Sequence, residues 1–209
     1  MPNNYQQSWP MPTQSVPIVI FGAGSIVSDA HLPAYEQNNL PVIGLYDPDY
    51  EKAKALGQKF NISVFKDPAE AAAIQNCIFD LAIPPSAHHN VLELIPENSA
   101  VILQKPMGSN LSEASNILTL CRKKSLNACV NFQLRFAPMM IALKDIINKG
   151  LIGKIVDIDM WAALDTPWNL WKFLEDLPRV EILLHSIHYF DAIRFLVGNP
   201  RGVHAKTMG

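Results

Sequence analysis

From Pro17 to Phe132 the chain alternates between short, almost wholly apolar runs and segments of helical composition, and few folds tolerate that order. PIVIFG (17–22), PVIGLYD (41–47), ISVFK (62–66), DLAIP (80–84), AVILQK (100–105) and SLNACVNF (125–132) read as strands. Between them, helices are expected at Ser25 to Gln37, Tyr50 to Phe60, in DPAEAAAIQ, around His88 to Ile95, and from Asn110, where Glu113 is placed as a capping-box partner. Strands that are apolar on both faces and separated by helices pair in parallel, under helices on each side. The expected class is α/β, a doubly wound parallel sheet of the Rossmann kind.

After about Phe136 the pattern changes. A helix is expected from Met139 to Lys149, then KIVDIDMWAAL (154–164), whose polar and apolar residues alternate as in an antiparallel strand with one wet face. A tryptophan-rich loop leads to a helix from Val180 to Val197, and GVHAKTMG (202–209) reads as a further strand. This gives three parts: a flexible tail at 1–16, a Rossmann domain at 17–136, and a second, α+β domain at 137–209 with an open, mainly antiparallel sheet. Two strands and a helix make a poor sheet, so this last part is expected to be incomplete.

Composition narrows the function classes. The chain has 209 residues, 49% hydrophobic and 17% charged, with a net charge of −2, and that balance provides no basic face for nucleic acid. No run approaches the ~18 apolar residues of a membrane span. The first sixteen residues lack the basic start and apolar run of a signal peptide. Cys77, Cys121 and Cys129 are odd in number and have no CxxC spacing, so they are expected to be free, buried thiols in a reducing compartment. A cytoplasmic protein is the expectation.

FGAGSIV places Gly22 and Gly24 where the first strand turns into a helix opened by Ser25 and Ile26. Backbone N–H groups at such a turn can approach a diphosphate, at the positive end of the helix dipole. Val27 occupies the position of a third small residue and departs from the full fingerprint. Asp47 ends the second strand, where a carboxylate takes both ribose hydroxyls of NAD and repels the phosphate of NADP, so NAD is favoured. The alternative is that Asp47 and Asp49 simply open the next helix.

VILQKPMG (101–108) runs a buried strand straight into Lys105, with Pro106 behind it. Ligands of open parallel sheets bind outside the carboxyl ends of the strands. An ammonium there can hydrogen-bond a substrate hydroxyl and favour the alkoxide that develops as hydride leaves.

QKPMG resembles the E-K-P motif of the Gfo/Idh/MocA oxidoreductases, the glucose–fructose oxidoreductase and inositol dehydrogenase family. GAGSIVSDAHLPAY, LYDPD, PPSAHHNV, NFQLRFAP and HSIHYFDAIRFLVGNP resemble further blocks of that family, from about Pro17 to the last residue. The resemblance implies an NAD-binding Rossmann domain, then an α+β domain that covers a sugar, cyclitol or polyol substrate and mediates homo-oligomerisation through its sheet. It also implies a C-terminal domain longer than this one, and a lysine–proline peptide that is often cis. By the same resemblance, Lys105 is the catalytic lysine and also touches the cofactor, as does Gln104; His188 and Asp191 match the histidine and last aspartate of D-x-G-x-H-x-x-D. Pro84 and Ser86 would touch the nicotinamide ribose. Gln104 replaces the usual glutamate. Leu184 stands for the first aspartate and Ser186 for the glycine, and His185 either stands in or marks a variant group.

His185 and His188, three apart, share roughly one helix face, and a neutral imidazole can take a hydroxyl proton. No third ligand completes a metal site with them. Asp191 either orients His188 or is an exposed helical acid. Arg135 either binds substrate or pairs with a helix acid. Trp168 and Trp171 either wall a sugar ring or plug the core. Of His88 and His89, one lines the crevice or both are ordinary helix N-terminal residues; His31 is expected to pack under the first helix. The main alternative to a dehydrogenase is a non-catalytic dinucleotide-binding regulator.

Overall fold

The computed structural model describes residues 5–165, 174 and 179–206. Pro12–Asn131 forms one compact unit, and the described residues after Asn131, with the segment before Pro12, form a second.

The first unit is built on a five-stranded parallel sheet in the order β2-β1-β3-β4-β5. Its strands are β1 (Ile18–Phe21), β2 (Val42–Tyr46), β3 (Ile78–Leu81), β4 (Ala100–Leu103) and β5 (Asn127–Val130). Every residue of β1 is buried, as a central strand covered on both faces requires. On one face Val19, Phe21, Phe79, Leu81, Val101 and Leu103 pack against Ala72, Leu92 and Ile117. These come from α3 (Pro68–Ala72), α4 (Pro85–Leu94) and α5 (Leu111–Lys123). On the other face Ile18, Ile20 and Leu45 meet Val27, Leu32, Ala53 and Leu56. These lie on a π-helical turn (Val27–His31) running into α1 (Leu32–Gln37), and on α2 (Tyr50–Phe60).

The caps follow the sequence signals. Asn110 Oδ1 accepts the Glu113 N–H at 3.0 Å, and Glu113 returns a carboxylate oxygen to the Ser109 N–H at 2.8 Å. Asp67 caps α3 by accepting the Ala69 N–H, and Asp49 caps α2 by accepting the Lys52 N–H.

Three expectations need correction. Residues 62–66 make one bridge, Val64 to Leu45, and no strand. The ring of Phe65 lies over Gly44, where no Cβ intervenes, so this segment is held by packing as much as by a ladder. Residues 154–164 and the described part of 202–209 form no strand, and so no antiparallel sheet is present among the described residues. A strand exists only as a paired object, and alternation without a neighbour leaves its apolar residues in water: Trp161 is 93% exposed. Cys129 is exposed, because β5 is an edge strand; Cys77 and Cys121 are buried, and all three are free thiols.

The second unit contains a 3₁₀ turn (Gln133–Phe136), α6 (Pro138–Asn148), a π-helical turn (Ile182–Ser186) and α7 (Ile187–Val197). Met140, Ala192 and Leu196 make its small core. The segment expected to be a flexible tail is partly anchored here: the Gln6 N–H donates to Asp145, and Trp9 packs on Phe136 with ring centroids 6.0 Å apart. No helix among the described residues is long and apolar enough to cross a membrane.

Candidate functional site

Four loops leave the carboxyl ends of β1 to β4 on one edge of the sheet, and chemistry-bearing residues collect there. Gly22 follows β1 with φ +108°, a region that favours glycine, and a Cβ on it would lie 2.3 Å from the carbonyl oxygen of Ala82. The backbone therefore crosses in direct contact with the chain leaving β3. Gly24 is the opposite case: nothing lies within 4 Å of where its Cβ would be. Its carbonyl accepts from Val27 and Ser28, so the helix begins at once. Ser25 and Ile26, both exposed, supply N–H groups of the first turn, which have no intrahelical acceptor. Val27 is buried in the core under this turn.

The two aspartates after β2 divide the roles that the sequence left open. Asp49 caps α2 through the Lys52 N–H. Asp47 instead reaches the glycine turn, accepting the Ala23 N–H at 2.7 Å with one oxygen and the Asp49 N–H at 2.9 Å with the other. Open space at Gly24, helix-opening amides and a carboxylate tied to the same turn fit a dinucleotide: the amides for its diphosphate, Asp47 for its ribose.

The loop after β4 carries the lysine. The Gln104 N–H donates to Leu81 O at 3.1 Å and prolongs the ladder by one residue. The Lys105 N–H then donates to Gln104 Oε1 at 2.9 Å, and the Lys105–Pro106 peptide is cis. Burial lowers the pKa of the Lys105 amine from its usual value.

Two candidates after β3, Pro84 and Ser86, are exposed at the start of α4, next to the Ala82 carbonyl that meets Gly22. His88 is different. It is 0% exposed, and its ring nitrogens face Met107 O at 3.0 Å and Leu81 O at 3.4 Å. It braces the lysine loop from beneath and offers no surface to a cofactor, which corrects the sequence expectation. Desolvation lowers its pKa, against the smaller opposing effect of those carbonyls.

One buried cluster was missed. Asp80 lies in β3, 0% exposed, with Oδ2 2.7 Å from His31 Nδ1 and 2.9 Å from the Tyr35 hydroxyl. Burial, and then the charge of Asp80, raise the tyrosine pKa. The available signal was a lone acid inside the apolar run IFDLAI, since a carboxylate is buried only with partners. His31 does pack beneath the first helix, but as this acid's partner.

In the second unit Arg135 and Asp191 are joined. Arg135 Nε and Nη2 donate to the two oxygens of Asp191, each at 2.5 Å. Asp191 is 3% exposed, and its hydrogen bond raises the pKa of Arg135. Of the two readings of Arg135, pairing with a helix acid holds, and Asp191 is neither exposed nor bonded to His188. The pair ties the 3₁₀ turn to α7. His188 meets Phe132 edge-on, with ring centroids 6.0 Å apart. His185 lies in the π turn, where the helix is wider than the three-residue spacing assumed, and its Nδ1 is 2.7 Å from Glu181 Oε2. Glu181 was also missed; its signal was the i,i+4 spacing to His185. Leu184 is buried. Trp168 and Trp171 lie outside the described residues. No group of three or more His, Cys, Asp or Glu side chains placed to hold a metal occurs among the described residues.

Residues 16–132 match Gfo/Idh/MocA, described as an oxidoreductase family with an NAD-binding Rossmann fold. The chain belongs to this family. Among curated proteins it is 26% identical over 197 residues to the D-apiose dehydrogenase of Paraburkholderia graminis, an alignment covering 90% of this chain and 51% of that one. It is 27% identical over 158 residues to the glucose-6-phosphate 3-dehydrogenase of Bacillus subtilis, covering 75% and 45%. In fold it resembles an oxidoreductase from Agrobacterium radiobacter solved with NAD+, L-tartaric acid and magnesium. There the TM-score is 0.72 and the identity 20%, over 88% of this chain and 55% of that one. The chain spans about half the length of the curated relatives it matches.

Proposed function

We propose that this protein is an NAD-dependent dehydrogenase acting on a secondary alcohol of a sugar, cyclitol or related polyol. The observation that carries the reading is positional. Lys105, its amide held and its amine partly desolvated, leaves the same edge of the parallel sheet as the Gly22–Gly24 turn and Asp47. Relatives named for apiose and glucose 6-phosphate support a carbohydrate substrate.

The bound dinucleotide supplies a hydride acceptor. The chain's residues do the rest. Amides of Gly24, Ser25 and Ile26 hold the diphosphate. Asp47 accepts from both ribose hydroxyls, and its charge excludes a phosphate there, so NAD is preferred over NADP. Pro84 and Ser86 border the nicotinamide ribose. Lys105 donates a hydrogen bond to the substrate hydroxyl and stabilises the developing alkoxide. His188 takes the proton, and His185, with its Glu181 partner, is the second base of that helix. Residues 137–209 contribute to a substrate domain through which copies of the chain associate.

The test is titration with NAD and NADP, followed by a panel of polyols watched at the reduced-nicotinamide absorbance, for the wild type and Lys105→Ala. Turnover should fall by about 10²-fold or more in the variant while NAD affinity holds within about twofold. Unchanged turnover in Lys105→Ala would end the proposal. NAD binding with no turnover on any polyol favours the regulator, the reading that the buried Leu184 supports.

A further inference from the structure

Asp80 is hard to explain as a packing residue. It replaces apolar surface in the middle of a central strand, and its Oδ1 is buried with no hydrogen-bond partner among the described residues. Both partners it has, His31 and Tyr35, sit on Oδ2. A charge in such a place needs a reason, and the reason is legible in what His31 touches next.

Each link in the chain of contacts fixes the polarity of the one after it. A carboxylate only accepts, so the proton between Asp80 and His31 belongs to Nδ1. The other ring nitrogen, Nε2, lies 3.4 Å from the side-chain nitrogen of Gln104. The Lys105 N–H can only donate, so the Gln104 atom that it meets is the oxygen; the amide nitrogen then donates to His31 Nε2, and the ring is the Nδ1–H tautomer. With its nitrogen turned to His31, Gln104 has its oxygen turned the other way, onto the Lys105 N–H. The orientation of a side-chain amide is decided by its network, and here the network begins at Asp80.

We infer that Asp80 and His31 are positioning residues for Lys105, acting through the side-chain amide of Gln104. The inference rests on the reading of Lys105 as the catalytic lysine. It also accounts for the departure in QKP. A glutamate at position 104 has no N–H to give a neutral imidazole, whereas glutamine donates to His31 and accepts from Lys105 at once. The acid in β3 and the amide at the tip of β4 form a matched pair, with the histidine between them. Tyr35 bonds the same oxygen of Asp80 but is not in the path to Lys105, and so it serves as the control.

The wiring predicts which changes propagate. Asp80→Asn nearly preserves shape but can donate to His31 Nδ1, which frees the other tautomer and lets the Gln104 amide turn over. Gln104→Met keeps the length of the side chain and removes both contacts of the Gln104 amide, while Asp80 still holds His31 Nδ1. Tyr35→Phe removes a bond to Asp80 and leaves the path intact. The readouts are the ring ¹⁵N signals of His31, the amide proton of Lys105, and steady-state kinetics with NAD and a turned-over polyol.

In the wild type His31 should show the Nδ1–H tautomer. Asp80→Asn should lose that signature, shift the Lys105 amide upfield and lower kcat about tenfold, with KM and NAD affinity within about twofold, the size of one lost neutral hydrogen bond. Gln104→Met should reproduce the amide shift and the kcat loss while His31 keeps its tautomer. Tyr35→Phe should leave all of these unchanged. An Nε2–H tautomer in the wild type overturns the inference. So does an unmoved Lys105 amide in Gln104→Met, a variant that leaves the buried acid alone and so tests the link even should Asp80→Asn fail to fold. Equal effects from Tyr35→Phe and Asp80→Asn also overturn it, since the cluster would then be structural support only. The tautomer and amide readouts need no substrate, so the inference can fail while Lys105→Ala still abolishes turnover, and an active Lys105→Ala with both readouts as expected marks a failure of the functional reading instead.

Discussion

Gly22 and Gly24 are two residues apart in one turn, yet the space around them is opposite in kind. A methyl on Gly22 meets the Ala82 carbonyl at 2.3 Å, in a backbone conformation that side chains rarely adopt. A methyl on Gly24 meets nothing. Gly22→Ala is therefore expected to destabilise the fold by about 2 kcal/mol or more, seen in the denaturant midpoint. Gly24→Ala should leave that midpoint almost unmoved and weaken NAD binding at least tenfold, because the methyl fills the space a diphosphate would enter. Equal loss of stability in both variants would contradict this. Asp47 makes a parallel case. Asp47→Ala removes two acceptors and a charge, so NAD affinity should fall roughly 10- to 100-fold and the preference over NADP should vanish in paired titrations. Lys105 sets a pH signature of its own. Its amine has a pKa lowered by burial, so the unfolded chain holds the proton more tightly. Stability should then rise with pH from the lowered value up to 10.5, where the unfolded amine also loses its proton. Lys105→Met should flatten that rise in urea titrations across alkaline pH.

At the scale of elements, the ion pair of Arg135 with Asp191 holds the 3₁₀ turn against α7. Asp191→Asn leaves a guanidinium facing a neutral amide. About 2 kcal/mol of stability should be lost, short of a fully buried pair because Arg135 is partly exposed, with NAD affinity unchanged by titration. The sequence showed both residues but not their union, because they are 56 positions apart and nothing local marks the pairing. The same holds for Asp80 and His31, 49 apart. What was legible was encoded locally: the glycine turn, the aspartate caps, and the short strand runs of β1 to β5, each bounded by helical composition whichever strand lay beside it. The lysine–proline step was legible because the strand and its break are contiguous. Residues 62–66 and 154–164 carry strand composition without being strands, since pairing is a property of two segments and composition describes one.

For the whole molecule, the unpaired segments decide behaviour in solution. Val156 is 90% exposed, Trp161 93% and Val203 83%, all in stretches whose alternation suits a sheet that the described residues do not form. Single exposed apolar residues are ordinary on a protein surface. Several of them close together, on backbone that joins no ladder among the described residues, are a template for another chain. The expected result is self-association: the average mass measured by sedimentation should rise with concentration through the micromolar range. Val156→Lys with Trp161→Lys should suppress that rise, because two charges on the same stretch repel a second copy. Neither side chain is buried, so the double variant should unfold within about 0.5 kcal/mol of the wild type per substitution, about 2–4 °C in Tm at most. NAD affinity should also hold, since the glycine turn and Asp47 belong to the other unit. A wild type that sediments as one monomeric species at every concentration would show that these residues are covered within the chain. So would a double variant that loses several kcal/mol.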